Sequence, residues 1–177
     1  ADSGARVVKL EPPEGDRLRT AHRSGWLVWN RGKESMVVDL RTPEGRDEAR
    51  RLARCADVVI EAFEAGQAAE WGLDYTDLNA ENQGLIYCSI KGFGPTGAYA
   101  KLKAYDAIVC AKAGVFARGD FAFRPGPIFN GALLASNGAA HMGVAGILAA
   151  LVVRDATGIG QRVDTSLWQA LNPLDYY

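Results

Sequence analysis

SMVVDLRTPEGR, residues 35–46, is the stretch that sets the fold class. Its first six residues are mostly branched or apolar, the composition of a buried strand. Thr42, Pro43 and Glu44 then supply a helix start. The threonine is a hydroxyl cap, proline's missing N–H costs nothing at the first helical position, and the acid suits the first turn. The helix runs on to Cys55, with Arg46, Arg50, Arg51 and Arg54 on its polar side. Ala49, Leu52, Ala53 and Ala56 make a narrow apolar stripe.

The same grammar repeats on either side. Downstream, residues 57–62 (DVVIEA) and 85–90 (LIYCSI) read as strands, with a short helix over 75–82 between them. Residues 104–116 and 138–154 read as helices, the second largely buried, and 162–166 (RVDTS) as a late strand. Upstream, residues 5–10 (ARVVKL) read as a buried strand stopped by Pro12 and Pro13, and 15–25 as a polar, basic loop. Strands of branched residues alternating with helices predict an α/β fold, a parallel sheet covered on both faces.

The chain's 177 residues fit one domain, and its apolar and charged fractions of 48% and 23% are ordinary for a globular protein. A net charge of -1 gives no bulk attraction to nucleic acid or anionic membrane, so neither is expected as a partner. Cys55, Cys88 and Cys110 lie far apart, with no CxxC pair, so no metal site is expected. They read as reduced core thiols of a cytoplasmic protein. Residues 1–9 carry no signal-peptide pattern, and the most apolar stretch, 144–153, is too short to span a bilayer. The chain opens beside a strand and stops at Tyr176 and Tyr177 without a polar close, so it reads as part of a larger protein. Sheet and core surface left bare at the ends is expected to meet a partner.

Ligands of open parallel sheets bind beyond the carboxyl ends of the strands. Asp39 to Arg41, Ala62 to Gly66 and Lys91 to Pro95 all fall there. Lys91 has the charge to meet an anion, though a solvated lysine in a tight loop is the plainer reading; Gly92 and Gly94 permit close backbone approach. Neither GxGxxG nor GxxxxGK[ST] is present, so dinucleotide and nucleoside triphosphate binding have no motif support. His22 reads as a loop residue without a partner and His141 as a packed helix residue. Ser136 or Asn137 reads as the N-cap of the long helix.

Seven stretches in order carry a resemblance. They are VVKLEPPEGDRLR (7–19), NRGKESMVVDLRTPEGR (30–46), ADVVIEAFEAG (56–66), WGLDYTDLNAEN (71–82), SIKGFGPTGAYA (89–100), YDAIVCAKAG (105–114) and GILAALVVRDATGIGQRVDTSL (146–167). Together they resemble the class III CoA-transferase family of CaiB/BaiF type, formyl-CoA transferase-like, over its N-terminal large domain. The resemblance implies a Rossmann-like, doubly wound parallel sheet, incomplete because the first βα unit, the small domain and the C-terminal segment are absent. Residues 1–177 would be part of that one large domain. It also implies an interlocked dimer, coenzyme A or acyl-CoA with a carboxylic acid as substrates, and no permanently bound cofactor.

In the family, an aspartate attacks the acyl-CoA carbonyl and passes through a mixed anhydride to an aspartyl thioester, a role suited to a carboxylate. Counting back from GILAAL and forward from Asn130, the matching position is Ser136, and neither Asp106 nor Asp120 aligns with it. Serine there would make a stable ester, so the route needs an acid from elsewhere. The family's CoA contacts match Val38, Asp39, Leu40 and Arg41, then Ala62 and Phe63, then Lys103, Ala104, Tyr105 and Asp106. Arg41, Lys103 and Tyr105 keep useful groups. Ala62 replaces an asparagine, Glu70 stands at a basic position, and Glu34 and Glu64 stand where many members carry arginine. Acids facing a pyrophosphate weaken its binding. Three functions follow: CoA transfer between acyl-CoA and a carboxylic acid; a degenerate half packing against an active copy or second family domain; or an acyl-CoA racemase or isomerase, for which Tyr105 and Ser136 make a poor acid–base pair.

Overall fold

The computed structural model describes residues 1–117, 126–129 and 131–172. Asp120, Asn130, Tyr176 and Tyr177 lie outside these residues. The chain divides into two compact units, residues 1–52 and 53–177, and each is α/β with parallel strands.

In the first unit, β1 (Val8–Glu11) pairs in parallel with β2 (Glu34–Val37), Val8 opposite Glu34 and Glu11 opposite Val37. The segment expected to be a loop instead holds two short helices, α1 (Leu18–Ala21) and α2 (Arg23–Trp29). His22 starts the second, accepting the Gly25 N–H at 3.0 Å on Nδ1 and stacking on Trp29, so it is not partnerless. β1 is only half-buried, with Val8 exposed, because a two-stranded pair leaves much of each strand open. The helix start expected at Thr42 is present. α3 (Pro43–Arg54) begins there, with the Gly45 N–H donating to Thr42 Oγ1 at 3.1 Å. Gly45 is needed because a Cβ would run into the Asp39 carbonyl.

In the second unit, β3 (Val58–Glu61), β4 (Ile86–Lys91) and β5 (Arg162–Ser166) form one sheet in that order, all parallel. Between β3 and β4 lie α4 (Gln67–Glu70) and α5 (Tyr75–Glu81). Asp74 caps α5, and the Tyr75 ring lies 6.1 Å from that of Tyr87 on one face of β4. Between β4 and β5 lie α6 (Asp106–Lys112), a 3-10 turn (Val115–Ala117) and α7 (Leu134–Thr157), and α8 (Leu167–Ala170) follows β5. Gly143 and Gly146 let α7 lie close on the other face of the sheet, against Cys88, Ile90, Val163 and Thr165. A parallel sheet with helices on both faces is the doubly wound arrangement expected.

Four further expectations are corrected. α7 starts four residues before Gly138 and is buried along one stripe only, through Ala135, Ala139, Gly143, Ile147 and Ala150, leaving Met142, Val144, Leu148 and Val152 exposed. At 24 residues it is also long and apolar enough, by length and composition alone, to cross a membrane, unlike the ten-residue stretch read from the sequence. Here it packs on a sheet. Cys55 is exposed at the end of α3 rather than core filler, whereas Cys88 and Cys110 are buried.

Candidate functional site

In the first unit, Val38, Asp39, Leu40 and Arg41 follow β2. Val38 is buried and its N–H extends the ladder to Glu11 O at 2.8 Å. The Asp39 carbonyl accepts from the Thr42 N–H and hydroxyl, which turns the chain into α3. Arg41 keeps its cation, but the guanidinium is already matched. Nε and Nη2 donate to Asp39 at 2.7 and 3.0 Å, and both Nη atoms donate to Glu14 at 3.1 Å. The bonds to Asp39 and then Glu14 push the arginine above its ordinary range and hold the Asp39 carboxyl below its own. An incoming phosphate therefore competes with two carboxylates. Glu34 is paired with Arg6 through two bonds of 2.7 and 2.9 Å.

In the second unit, Ala62, Phe63 and Glu64 follow β3. Phe63 is half-buried, its ring edge-on to Trp71 at 5.3 Å, and Ala62 is exposed. Glu64 lies 3.3 Å from Lys103, so those two expected contact positions meet each other, both largely exposed. Glu70 ends α4 and is exposed. Ala104 lies so close to Gly92 that a Cβ on the glycine would sit 2.6 Å from Ala104 Cα, which is the close approach read into that glycine. Tyr105 is exposed at the N-cap of α6.

Ser136 is not the cap of α7. That position is Leu133, which supplies no side-chain acceptor, and Ser136 lies within the first turn. Its N–H donates to Asp106 Oδ2 at 2.6 Å, so Asp106 does the work of a cap from α6. Asp106 Oδ1 also accepts the Cys110 thiol at 3.3 Å. Burial first, then Asp106, pushes that thiol up to about 11. The fold thus brings to the start of α7 an acid that sequence alignment leaves unmatched with that position. His141 is exposed rather than packed, with Nδ1 2.7 Å from the Asn137 carbonyl.

Lys91 is neither solvated nor free to meet an anion. Its Nζ donates to Glu61 Oε1 and Oε2, each at 2.9 Å, and to the Phe63 carbonyl at 2.8 Å. Sequence reading missed Glu61 altogether. The signal was there: two apolar runs, residues 57–61 and 85–91, end in opposite charges on strands that prove to be neighbours.

The sequence model for CoA-transferase family III matches residues 1–174. Among curated relatives, a succinyl-CoA–D-citramalate CoA-transferase from Chloroflexus aurantiacus is 39% identical over 97% of this chain and 44% of its own length. A succinate–glutarate CoA-transferase from Agrobacterium fabrum is 40% identical over 94% of this chain and 45% of its own. A crystal structure of a CaiB/BaiF family protein from Brucella suis superimposes with a TM-score of 0.89 at 39% identity, covering 97% of this chain and 48% of that one. The chain therefore spans about half the length, or a little less, of the relatives it matches.

Proposed function

This chain belongs to CoA-transferase family III, and from that premise we propose that it is the acyl-CoA-handling part of a protein that moves CoA between an acyl-CoA and a carboxylic acid. Val38, Asp39, Leu40, Arg41, Ala62, Phe63, Glu64, Glu70, Lys103, Ala104, Tyr105 and Asp106 are its CoA-contact positions, taken from residues 1–177 as one part of the large domain. No permanently bound cofactor is part of the reading. It works in the cytoplasm, where its cysteines stay reduced, and it assembles with a second copy or a second family domain. The exposed apolar face of α7 supports that assembly.

The observation that carries the transferase reading is the Asp106 carboxylate bonded to the Ser136 amide. Transfer needs a carboxylate that attacks the thioester carbonyl and expels CoA thiolate, leaving a mixed anhydride. The thiolate then attacks the aspartyl carbonyl, releasing the first acid and leaving an aspartyl thioester. The acceptor acid reverses both steps. A serine cannot follow this route, because its ester does not return CoA readily. Asp106 has the required group, and the N–H that holds it is a donor for the oxygen that gains charge when its carbonyl is attacked.

The test is hydroxylamine trapping in the intact protein incubated with acyl-CoA. A hydroxamate on the peptide containing Asp106, absent in Asp106→Asn, is the expected result. No hydroxamate and no CoA exchange rejects the transferase reading for this chain. It then favours the second reading, a structural half beside a domain that bears the nucleophile. That reading is supported by Ser136 and by the carboxylates already holding Arg41 and Lys103.

A further inference from the structure

We propose that the Lys91–Glu61 pair is a positioning device for the Phe63 loop, setting CoA affinity through that loop without touching CoA. The inference rests on the acyl-CoA reading above. It starts from the parallel register of β3 and β4, in which Glu61 lies opposite Ser89, two residues before Lys91. Both charged side chains thus stand at the strand ends where the chain leaves the sheet. The Glu61 side chain is 4% exposed and that of Lys91 20%.

The bonds of this pair converge on one residue. Glu61 Oε2 accepts the Phe63 N–H at 2.6 Å, and Lys91 Nζ donates to the Phe63 carbonyl at 2.8 Å. Both main-chain polar groups of Phe63 are therefore fixed by the pair. The two remaining bonds, Lys91 to each Glu61 oxygen, lock donor and acceptor to each other. Glu64, the next residue, reaches Lys103 at the start of the segment leading to Tyr105. The pair thus fixes the loop from which one expected contact segment touches another.

Joining the strands does not require these charges. β3 and β4 are already laddered from Val58 opposite Ile86 to Glu61 opposite Ser89. A buried ion pair is often no more stabilising than a well-packed apolar one, because desolvating two charges offsets most of their attraction. The surroundings are dry: Tyr87 and Ser89, on the same face of β4, are fully buried. What the pair adds beyond apolar packing is the hold on Phe63. A loop already fixed loses less conformational freedom when a ligand binds.

The test uses the intact protein, with CoA as the probe. Lys91→Met alone leaves the Glu61 charge buried and can fail to fold, so the working variant is Lys91→Met/Glu61→Leu, with Lys91→Arg as the conservative change. Isothermal titration gives the CoA Kd, and hydrogen exchange reports the Phe63 amide. In the double variant the Phe63 amide is expected to exchange at least ten-fold faster and the CoA Kd to rise at least ten-fold. Lys91→Arg stays within about three-fold of wild type in Kd. Arg162→Met, which removes ion pairs from β5 to Asp74, the cap of α5, and to Asp164 on the same strand, is expected to leave the Kd unchanged. Normal binding by the wild type with a Kd shifted less than two-fold in the double variant overturns the inference. So does an equal loss in Arg162→Met, which would mark a general effect of stability. Absence of CoA binding by the wild type overturns the acyl-CoA reading instead, whatever the Phe63 amide does.

Discussion

Replacing Asp106 tests how the start of α7 is held. In wild type the Ser136 N–H, one of the first-turn donors with no partner inside the helix, is satisfied by Asp106 at 2.6 Å, and Leu133 offers no substitute. Asp106→Ala removes that acceptor, a loss equivalent to deleting a cap at about 1 kcal/mol. It also removes a negative charge from the positive end of a 24-residue helix, about 0.3–1 kcal/mol more. A total of about 1.3–2 kcal/mol corresponds to roughly ten- to thirty-fold faster exchange of the Ser136 amide by local opening. Asp106→Asn keeps a carbonyl oxygen and loses only the charge, so its exchange rises about two- to five-fold. The assay is residue-resolved hydrogen exchange in the intact protein. Exchange in the alanine variant within three-fold of wild type, or an asparagine variant as fast as alanine, would refute the account. The asparagine variant also separates fold from chemistry: on the transferase reading it loses hydroxamate trapping completely while α7 stays nearly as well held.

Three further outcomes follow from the same geometry. Glu64→Gln releases Lys103 from an exposed pair, so CoA should bind about two- to five-fold tighter at low salt, the gain vanishing near 1 M salt, where screening acts within about 3 Å; unchanged low-salt affinity would show that Lys103 does not meet the ligand. Glu11 is 3% exposed and its carboxyl is held below the ordinary 4.5, chiefly by Arg19 against the opposing effect of burial. A lowered folded pKa contributes stability fully present above the unfolded value and lost as pH falls through the folded one. Urea midpoints of wild type should therefore fall below about pH 4.5, and Glu11→Gln should flatten that limb; parallel curves would reject the assignment. At pH 8, iodoacetamide should label Cys55 in native protein and spare Cys88 and Cys110 until unfolding, since both are buried and Cys110 is pushed up to about 11.

The α/β class was legible because its signals are local. Thr42 and Pro43 start α3 where they stand, and the branched runs at 57–62, 85–90 and 162–166 overlap β3, β4 and β5 to within a residue or two. Two local signals misled. Ser136 and Asn137 look like caps, yet α7 begins at Leu134, because the first turn takes its acceptor from Asp106, thirty residues away. His22 looks idle in a polar stretch, yet it caps α2 from one position before it. The apolar character of residues 138–154 was legible, but not that only one stripe of it would be covered by β4 and β5.

The site was legible as residue types and not as charge states. A sequence shows that Arg41 and Lys91 are cations at or just after strand ends and that Lys103 is a cation ahead of the next helix. It does not show that each is already opposed: Arg41 by Asp39 and Glu14, Lys91 by Glu61, Lys103 by Glu64. The distinction changes what the residues can do. A ligand phosphate gains only the difference between its own bond and the carboxylate's, and that difference depends on burial. For the exposed partners of Arg41 and Lys103 the exchange costs little and salt screens it. For Lys91 it would strand a buried glutamate and release the Phe63 carbonyl, so this lysine is committed to the fold. Its charge serves the loop it holds. That is why a substitution there is expected to appear in the affinity of a ligand it never touches.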